Sequence, residues 1–149
     1  MAQQFFNACQ LGLLQEIKIM FEDKNFTSEC FQEIRILPSH DNPTPVNLQD
    51  NDGRTGLHLA SSMGHLETAK FLVSEGANVD AETYNGFSPL MMACINGHFT
   101  ICKYLLWQNC DISVNVRGFT ALDYAKIKGH EEIVALFDNR NHYHVTYTF

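Results

Sequence analysis

Apolar positions in this chain recur at spacings of three and four, the signature of helices that bury one face. Leu57 and Ala60 form a first short stripe, and Ala69, Leu72 and Val73 form a second. The two-part pattern returns with Leu90 and Ala93 followed by Cys102, Leu105 and Leu106, and its first part again with Leu122 and Ala125. Polar punctuation brackets each stripe. Thr55, Ser88 and Thr120 stand just before the first helix, where a hydroxyl can accept a free backbone N–H of the first turn. Pro89 follows Ser88 at the first helical position, where its missing N–H costs nothing. Gly64, Gly97 and Gly129 close the short helix where a left-handed residue is usually needed. Gly76-Ala77-Asn78-Val79-Asp80 then turns the chain out of the second helix. The pattern predicts a series of short helical pairs.

The pairs repeat at a fixed step. Gly53-Arg54-Thr55-Gly56-Leu57-His58-Leu59-Ala60 aligns with Gly86-Phe87-Ser88-Pro89-Leu90-Met91-Met92-Ala93 after 33 residues, and that with Gly118-Phe119-Thr120-Ala121-Leu122-Asp123-Tyr124-Ala125 after 32. Gly64-His65, Gly97-His98 and Gly129-His130 recur at the same steps. Such self-similarity marks a solenoid, in which each unit buries its apolar face against its neighbours. A degenerate unit occupies 4–21, where Ala8-Cys9, Gly12, Ile17 and Met20-Phe21 fall in the register of Ala60-Ser61, Gly64, Ala69 and Leu72-Val73. Gly12 and Gly64 are 52 residues apart, one repeat plus 19, and the excess lies within 22–45. Pro38, Pro43 and Pro45, three of the four prolines, fall there, so the segment reads as a loop insertion. Register resumes at Val46-Asn47-Leu48-Gln49-Asp50.

Asp50-Asn51-Asp52-Gly53-Arg54-Thr55-Gly56-Leu57-His58 and Gly64-His65-Leu66-Glu67 closely resemble the ankyrin repeat, as do Ser74-Glu75-Gly76-Ala77-Asn78-Val79-Asp80 and Asn85-Gly86-Phe87-Ser88-Pro89-Leu90. The likeness is close over 46–138 and limited to register over 4–21. It implies an all-α ankyrin-repeat solenoid of about four repeats, helix-turn-helix units joined by β-hairpin fingers, forming a single domain over 1–149. The units are 4–21, 46–81, 82–114 and a C-terminal capping repeat at 115–138, with the insertion at 22–45 and a tail at 139–149. Departures are local: Gly56 and Ala121 replace the usual Pro, Met91 and Asp123 the usual His, and the unit after Asn109 is one residue short. The resemblance further implies that His65, His98 and His130 hydrogen-bond backbone between repeats. His58 lies within reach of the Thr55 hydroxyl.

In the family, residues around the hairpin Gly and those just before the helix-ending Gly face the concave surface. Carried onto this chain, the surface offers Asn51, Asp52, Arg54, Ser62, Met63, Tyr84, Asn85, Phe87, Ile95, Asn96, Val116, Arg117, Phe119, Ile127 and Lys128. Its large apolar groups exceed what a lone soluble domain exposes. Tyr84, Phe87 and Phe119 are expected to align as a solvent-facing stripe, with Phe87 and Phe119 removable at little cost to folding.

Composition narrows the function. With 45% hydrophobic and 18% charged residues, the chain has material for a core and does not read as disordered. The net charge is −7 and the ten Lys and Arg are scattered, so nucleic acid and anionic membranes are poor partners. No apolar stretch approaches the ~20 residues of a membrane span. Met1-Ala2-Gln3-Gln4 lacks the features of a secretory signal, so a cytoplasmic chain with access to the nucleus is expected, and the sequon Asn25-Phe26-Thr27 reads as chance. Cys9, Cys30, Cys94, Cys102 and Cys110 are odd in number and form no C-x-x-C pair, which suits reduced thiols. Cys94, Cys102 and Cys110 replace Ser61, Ala69 and Ala77 of the preceding unit, which are small packing positions. No phosphate-binding glycine loop, His-Glu-x-x-His or Gly-x-Ser-x-Gly occurs. No enzyme, cofactor or metal is expected.

Two segments lie outside the repeat. Cys30-Phe31-Gln32-Glu33-Ile34-Arg35-Ile36-Leu37 is too apolar for a simple linker and either caps the first unit or extends the binding face. Tyr143, Val145, Tyr147 and Phe149 alternate with polar residues, a strand pattern that either docks on the last repeat or adds to a partner's sheet. The expected function is a small adaptor or inhibitor that grips a protein through the concave face and is a monomer on its own. The alternatives are a structural subunit of a larger assembly using the insertion and tail, or an inhibitor resembling stand-alone ankyrin proteins that mask transcription factors.

Overall fold

The computed structural model describes residues 2–23, 26 and 45–143, with side chains as far as Asp138. Among these, eight α-helices form four antiparallel pairs: α1 (Ala2–Leu11) with α2 (Leu14–Glu22), α3 (Gly56–Met63) with α4 (Leu66–Ser74), α5 (Pro89–Asn96) with α6 (Phe99–Trp107), and α7 (Ala121–Lys128) with α8 (Glu131–Tyr143). Helices α1, α3, α5 and α7 stack in that order as an inner layer, and α2, α4, α6 and α8 as an outer one. The repeat pattern therefore folds as the expected helical solenoid. A 3-10 turn at Pro45–Asn47 resumes the chain and buries Val46 in the core.

The ends of the inner helices are built as their residues demand. The Ser88 hydroxyl accepts the Met91 N–H at 3.3 Å, and the Thr120 hydroxyl accepts the Asp123 N–H at 3.3 Å. Asp123 returns the bond by accepting the Thr120 N–H at 2.9 Å, completing a capping box that holds its carboxyl below the ordinary range. At α3 the box is built with histidine: the Thr55 N–H donates to His58 Nδ1 at 3.1 Å, and the Thr55 hydroxyl lies 2.9 Å from the same nitrogen. Gly56 stands where proline is usual because a Cβ there would lie 2.9 Å from both Cys9 Sγ and the Phe5 ring. That departure accommodates the degenerate first unit, whose Phe5 packs on Phe6, Phe21 and Phe26 at centroid distances of 5.6 to 5.9 Å. Phe26 is buried, so the chain leaving α2 is pinned to the first unit at that point. The rest of the insertion, including 30–37, lies outside the described residues.

Adjacent units are locked together by glycine and imidazole. His65 Nε2 donates to the Gln10 carbonyl at 2.9 Å, His98 Nε2 to the Ser62 carbonyl at 2.9 Å, and His130 Nε2 to the Ile95 carbonyl at 3.3 Å. Each ring occupies the space that a side chain on the preceding unit's helix-ending glycine would need. A Cβ on Gly12, Gly64 or Gly97 would meet the ring at 2.6, 2.8 or 2.7 Å, whereas one on Gly129 would meet nothing within 4 Å. The histidine slot of the first unit holds Leu13, which has no earlier helix-ending glycine to face among the described residues.

A fourth histidine crosses the same boundary at the hairpins. His58 is fully buried and donates from Nε2 to the Phe87 carbonyl at 2.9 Å, which leaves Nδ1 to accept from Thr55. Both nitrogens are committed in the neutral ring. Burial disfavours the cation and pulls the pKa from its ordinary 6.5 down to about 4, against the smaller opposing pull of the Phe87 carbonyl.

The tail departs from the strand reading at its start. Helix α8 runs through Tyr143, so that residue is helical, and 144–149 lie outside the described residues.

Two outcomes follow. Gly97→Ala, which meets both the left-handed backbone and the His130 ring, should cost about 2 to 3 kcal/mol in urea unfolding, and Gly129→Ala, which meets only the backbone term, about 1 kcal/mol. Equal costs would remove the fit of the ring against the glycine as the cause. Because the folded pKa of His58 lies below the unfolded one, its contribution is whole above pH 6.5 and fades as pH falls towards about 4. Stability should drop by roughly 2 kcal/mol across that window, and His58→Gln should flatten this part of the profile.

Candidate protein-binding face

Three hairpins stand side by side at one edge of the inner layer. In the first, the Asp50 N–H donates to the Arg54 carbonyl at 2.9 Å, and in the second the Thr83 N–H donates to the Phe87 carbonyl at 3.0 Å. The Tyr84 N–H reaches back to the Asp52 carbonyl at 3.1 Å, and the Tyr84 ring covers Gly53, which has no Cβ to obstruct it. The Gln49 side chain donates to the Glu82 carbonyl at 3.1 Å. The third hairpin pairs β1 (Asn115–Val116) with β2 (Phe119–Thr120), Val116 opposite Phe119. The missing residue of this unit leaves a two-residue turn, Arg117-Gly118, with φ of 54° and 82°. Positive φ at both central residues is the type I′ geometry that matches strand twist.

The carboxyl ends of the inner helices continue the face. Asn96 Nδ2 donates to Ser62 Oγ at 3.3 Å and to the Met92 carbonyl at 2.9 Å, tying α5 to α3. Asn51, Asp52, Met63, Tyr84, Asn85, Asn96, Arg117, Phe119, Ile127 and Lys128 are exposed. The apolar ones stand well into solvent: Met63 at 49%, Tyr84 at 64%, Phe119 at 45% and Ile127 at 62%. Leu11, 65% exposed, extends the set into the first unit, at the position that Met63 holds in the second. The Gly12 to Gly64 register carried the signal for it. Trp107 is also exposed, but it ends α6 in the outer layer.

Five positions are less exposed than expected, with Arg54, Ser62, Phe87 and Ile95 half-buried and Val116 buried. Val116 is buried at 8% exposure, its Cγ2 set 3.5 Å from where a Cβ of Gly86 would lie, so it joins hairpins rather than facing solvent. Phe87 is half-buried, its ring 5.8 Å from that of Tyr124, which also meets the more exposed Phe119 at 6.1 Å. The exposed aromatics are therefore Tyr84 and Phe119, with Phe87 and Tyr124 as the floor beneath them. Ile95 is half-buried as well. Arg54 is held between Asp50 Oδ2 at 2.8 Å and Asp52 Oδ2 at 2.9 Å, so its charge is spent within its own hairpin.

The thiols occupy core positions. Cys9, Cys94, Cys102 and Cys110 are buried, with Cys94 Sγ 3.5 Å from Cys102 Sγ. The neighbouring Cys102 sulfur, and then burial, push the Cys94 thiol far above its ordinary range, and burial pushes Cys9 up to about 12. Such thiols are poor nucleophiles, because the thiolate is the reactive form. Cys30 lies outside the described residues. Among the described residues no group of three or more His, Cys, Asp or Glu is placed to hold a metal ion, and no helix is long and apolar enough to cross a membrane.

The sequence profile of ankyrin repeats in three copies matches residues 6–117 and, in a second match, 80–146. Mouse "Ankyrin repeat and SAM domain-containing protein 6" is 38% identical over 95 residues, which cover 62% of this chain and 11% of that protein. Human "Ankyrin repeat domain-containing protein 63" is 36% identical over 90 residues, 57% of this chain and 24% of that protein. "E3 ubiquitin-protein ligase XBAT33" of Arabidopsis thaliana is 35% identical over 82 residues, 54% of this chain and 16% of that protein. The matched region thus spans no more than a quarter of any of these three relatives.

The two kinds of ring on the face should separate in urea unfolding. Phe87→Ala removes a half-buried ring that packs on Tyr124 and should cost about 2 kcal/mol, whereas Tyr84→Ala should stay within about 0.5 kcal/mol. A large loss at Tyr84 would place that ring in the fold rather than on the free face.

Proposed function

The chain belongs to the ankyrin-repeat family, whose repeats generally mediate protein–protein interaction, and from that premise we propose that it is a non-enzymatic adaptor or inhibitor that grips a partner protein through the hairpin tips and inner-helix ends. The observation that carries this reading is the exposure of Leu11, Met63, Tyr84, Phe119 and Ile127 along one face, at positions where stacking requires no large apolar side chain. Exposed apolar residues gathered on one surface mark interaction sites, and aromatic anchors at the centre of an interface carry most of its energy. Satisfied polar groups surround them, with Asn96 bonded to Ser62 and Arg54 paired to Asp50 and Asp52, which suits a rim that orients a partner. We take the chain to act in the cytoplasm, with access to the nucleus, as a monomer whose partner is neither nucleic acid nor membrane. The net charge of −7 supports that exclusion.

The test is affinity capture with the full chain, wild type beside Tyr84→Ala with Phe119→Ala. Each truncated anchor is worth about 2 kcal/mol or more in an interface, so capture of the specific partner should disappear while the unfolding midpoint moves little. Retention of every wild-type partner by the folded variant would sink the reading.

A further inference from the structure

Charge is distributed unevenly along the inner layer. Helices α1, α3 and α5 carry no Asp, Glu, Lys or Arg at all. Helix α7 carries Asp123, Lys126 and Lys128. The hairpins follow the same gradient: Asp50 and Asp52 hold Arg54 in the first, Glu82 enters the second, and Arg117 forms the tip of the third. Among the described residues Arg117 and Lys128 are exposed and make no ion pair, and Asp123, the acid of α7, is spent in its capping box. The inner helices therefore run from uncharged to cationic, and the hairpins from the acidic side of Asp50, Asp52 and Glu82 to Arg117, on a chain whose net charge is −7. The helix end itself favours a cation at Lys128 through the macrodipole. That term does not reach Arg117, which stands on the hairpin opposite the start of α7.

We propose that this face takes an acidic segment of a partner protein, its aromatic or aliphatic anchors seated over Met63, Tyr84 and Phe119 and its carboxylates meeting Arg117 and Lys128. The proposal rests on the binding reading above and adds the chemistry and polarity of the occupant. Two features of the face favour it. Lys128 follows Ile127 directly and Arg117 precedes Phe119 by two residues, all on one unit, so one bound segment can meet apolar groups and charge together. A guanidinium and an ammonium with no acid of their own are an unfilled electrostatic demand, and complementary charge is what sets partner choice and encounter rate.

The probe is a fluorescently labelled random copolymer of Glu and Tyr, compared with one of Lys and Tyr and with polyglutamate, each titrated against the full chain by anisotropy. The copolymer of Glu and Tyr should bind tightest and weaken as salt rises. Arg117→Asn with Lys128→Gln, which keeps a residue tolerant of the left-handed turn, should weaken it about tenfold. Lys18→Gln with Lys103→Gln in the outer layer should leave binding unchanged. Equal binding of the Lys and Tyr copolymer, or an equal loss from the outer pair, overturns the proposal. The two readings fail separately. Loss with Tyr84→Ala and Phe119→Ala but not with the Arg117 and Lys128 pair leaves the grip standing and removes the acidic partner. Loss with the charge pair alone removes the aromatic anchors.

Discussion

Every unit of this solenoid is two short helices, and α3, α5 and α7 are only eight residues long. Helices of that length do not persist in water by themselves, so each unit depends on its neighbours for order. What fixes one unit against the next is the fit of an imidazole onto a glycine. The glycine supplies a left-handed helix end and an absent Cβ, and the ring fills that space while its N–H satisfies a free carbonyl of the same helix end. Both needs fall on one residue, which is why the Gly-His pair recurs even where the proline and histidine of the cap do not. The carbonyls that the rings bind belong to Gln10, Ser62 and Ile95, each two residues before the glycine. The contacts that hold the stack therefore also hold the strip of backbone that presents Leu11, Met63 and Asn96. Stacking and the geometry of the binding face are one constraint.

The repeat and its helix-start residues were legible because each follows from a local rule acting at a fixed step, and the inter-unit histidines because the resemblance implied them. The Thr120 hydroxyl accepts the Asp123 N–H as its place before the helix predicts, and His98 reaches the carbonyl two residues before Gly64. What escaped was decided by a change in length or by a neighbour in another unit. Position-by-position transfer put Val116 on the surface, but the unit is one residue short, and its tip closes at Arg117-Gly118 with Val116 turned against Gly86. Phe87 looked exposed from its place at a hairpin. Its burial is set by Tyr124, which lies in the next unit at the position of Leu59 and Met92. A ring at that position covers the preceding hairpin, and nothing within the second hairpin announces it. Leu11 was within reach of the same register but hidden by the degeneracy of the first unit.

The departures from the repeat are adjustments to particular neighbours. Gly56 makes room for Phe5 and Cys9, whose unit is packed with phenylalanine rings where the second has Leu57, His58 and Val73. His58 survives in the second unit, where Phe87 offers its carbonyl. In the last unit the equivalent residue is Asp123, which caps its own helix and bonds to no hairpin beyond it. Cys94, Cys102 and Cys110 keep the positions of Ser61, Ala69 and Ala77 and stay buried, so their spacing of eight is the spacing of packing positions.

The end of the stack shows which charges the fold explains and which it does not. Lys126 stands in the register of Cys9, Ser61 and Cys94, all buried between helices, and it can be charged because no further unit covers α7 among the described residues. Gly129 is bare for the same reason. A lysine there meets solvent among the described residues, which suits the polar outer face that an uncovered unit needs. Lys128 is different. Its counterparts Leu11, Met63 and Asn96 are exposed in units that are covered on both sides or on one, so termination places no demand on that position. Arg117 likewise sits in a turn whose left-handed backbone would favour Asn or Gly over a long cationic side chain. Stacking accounts for Lys126 but not for Arg117, and at Lys128 the helix end favours a cation without supplying an acid to pair with it. Side chains that the fold neither requires nor satisfies are the ones available to a partner.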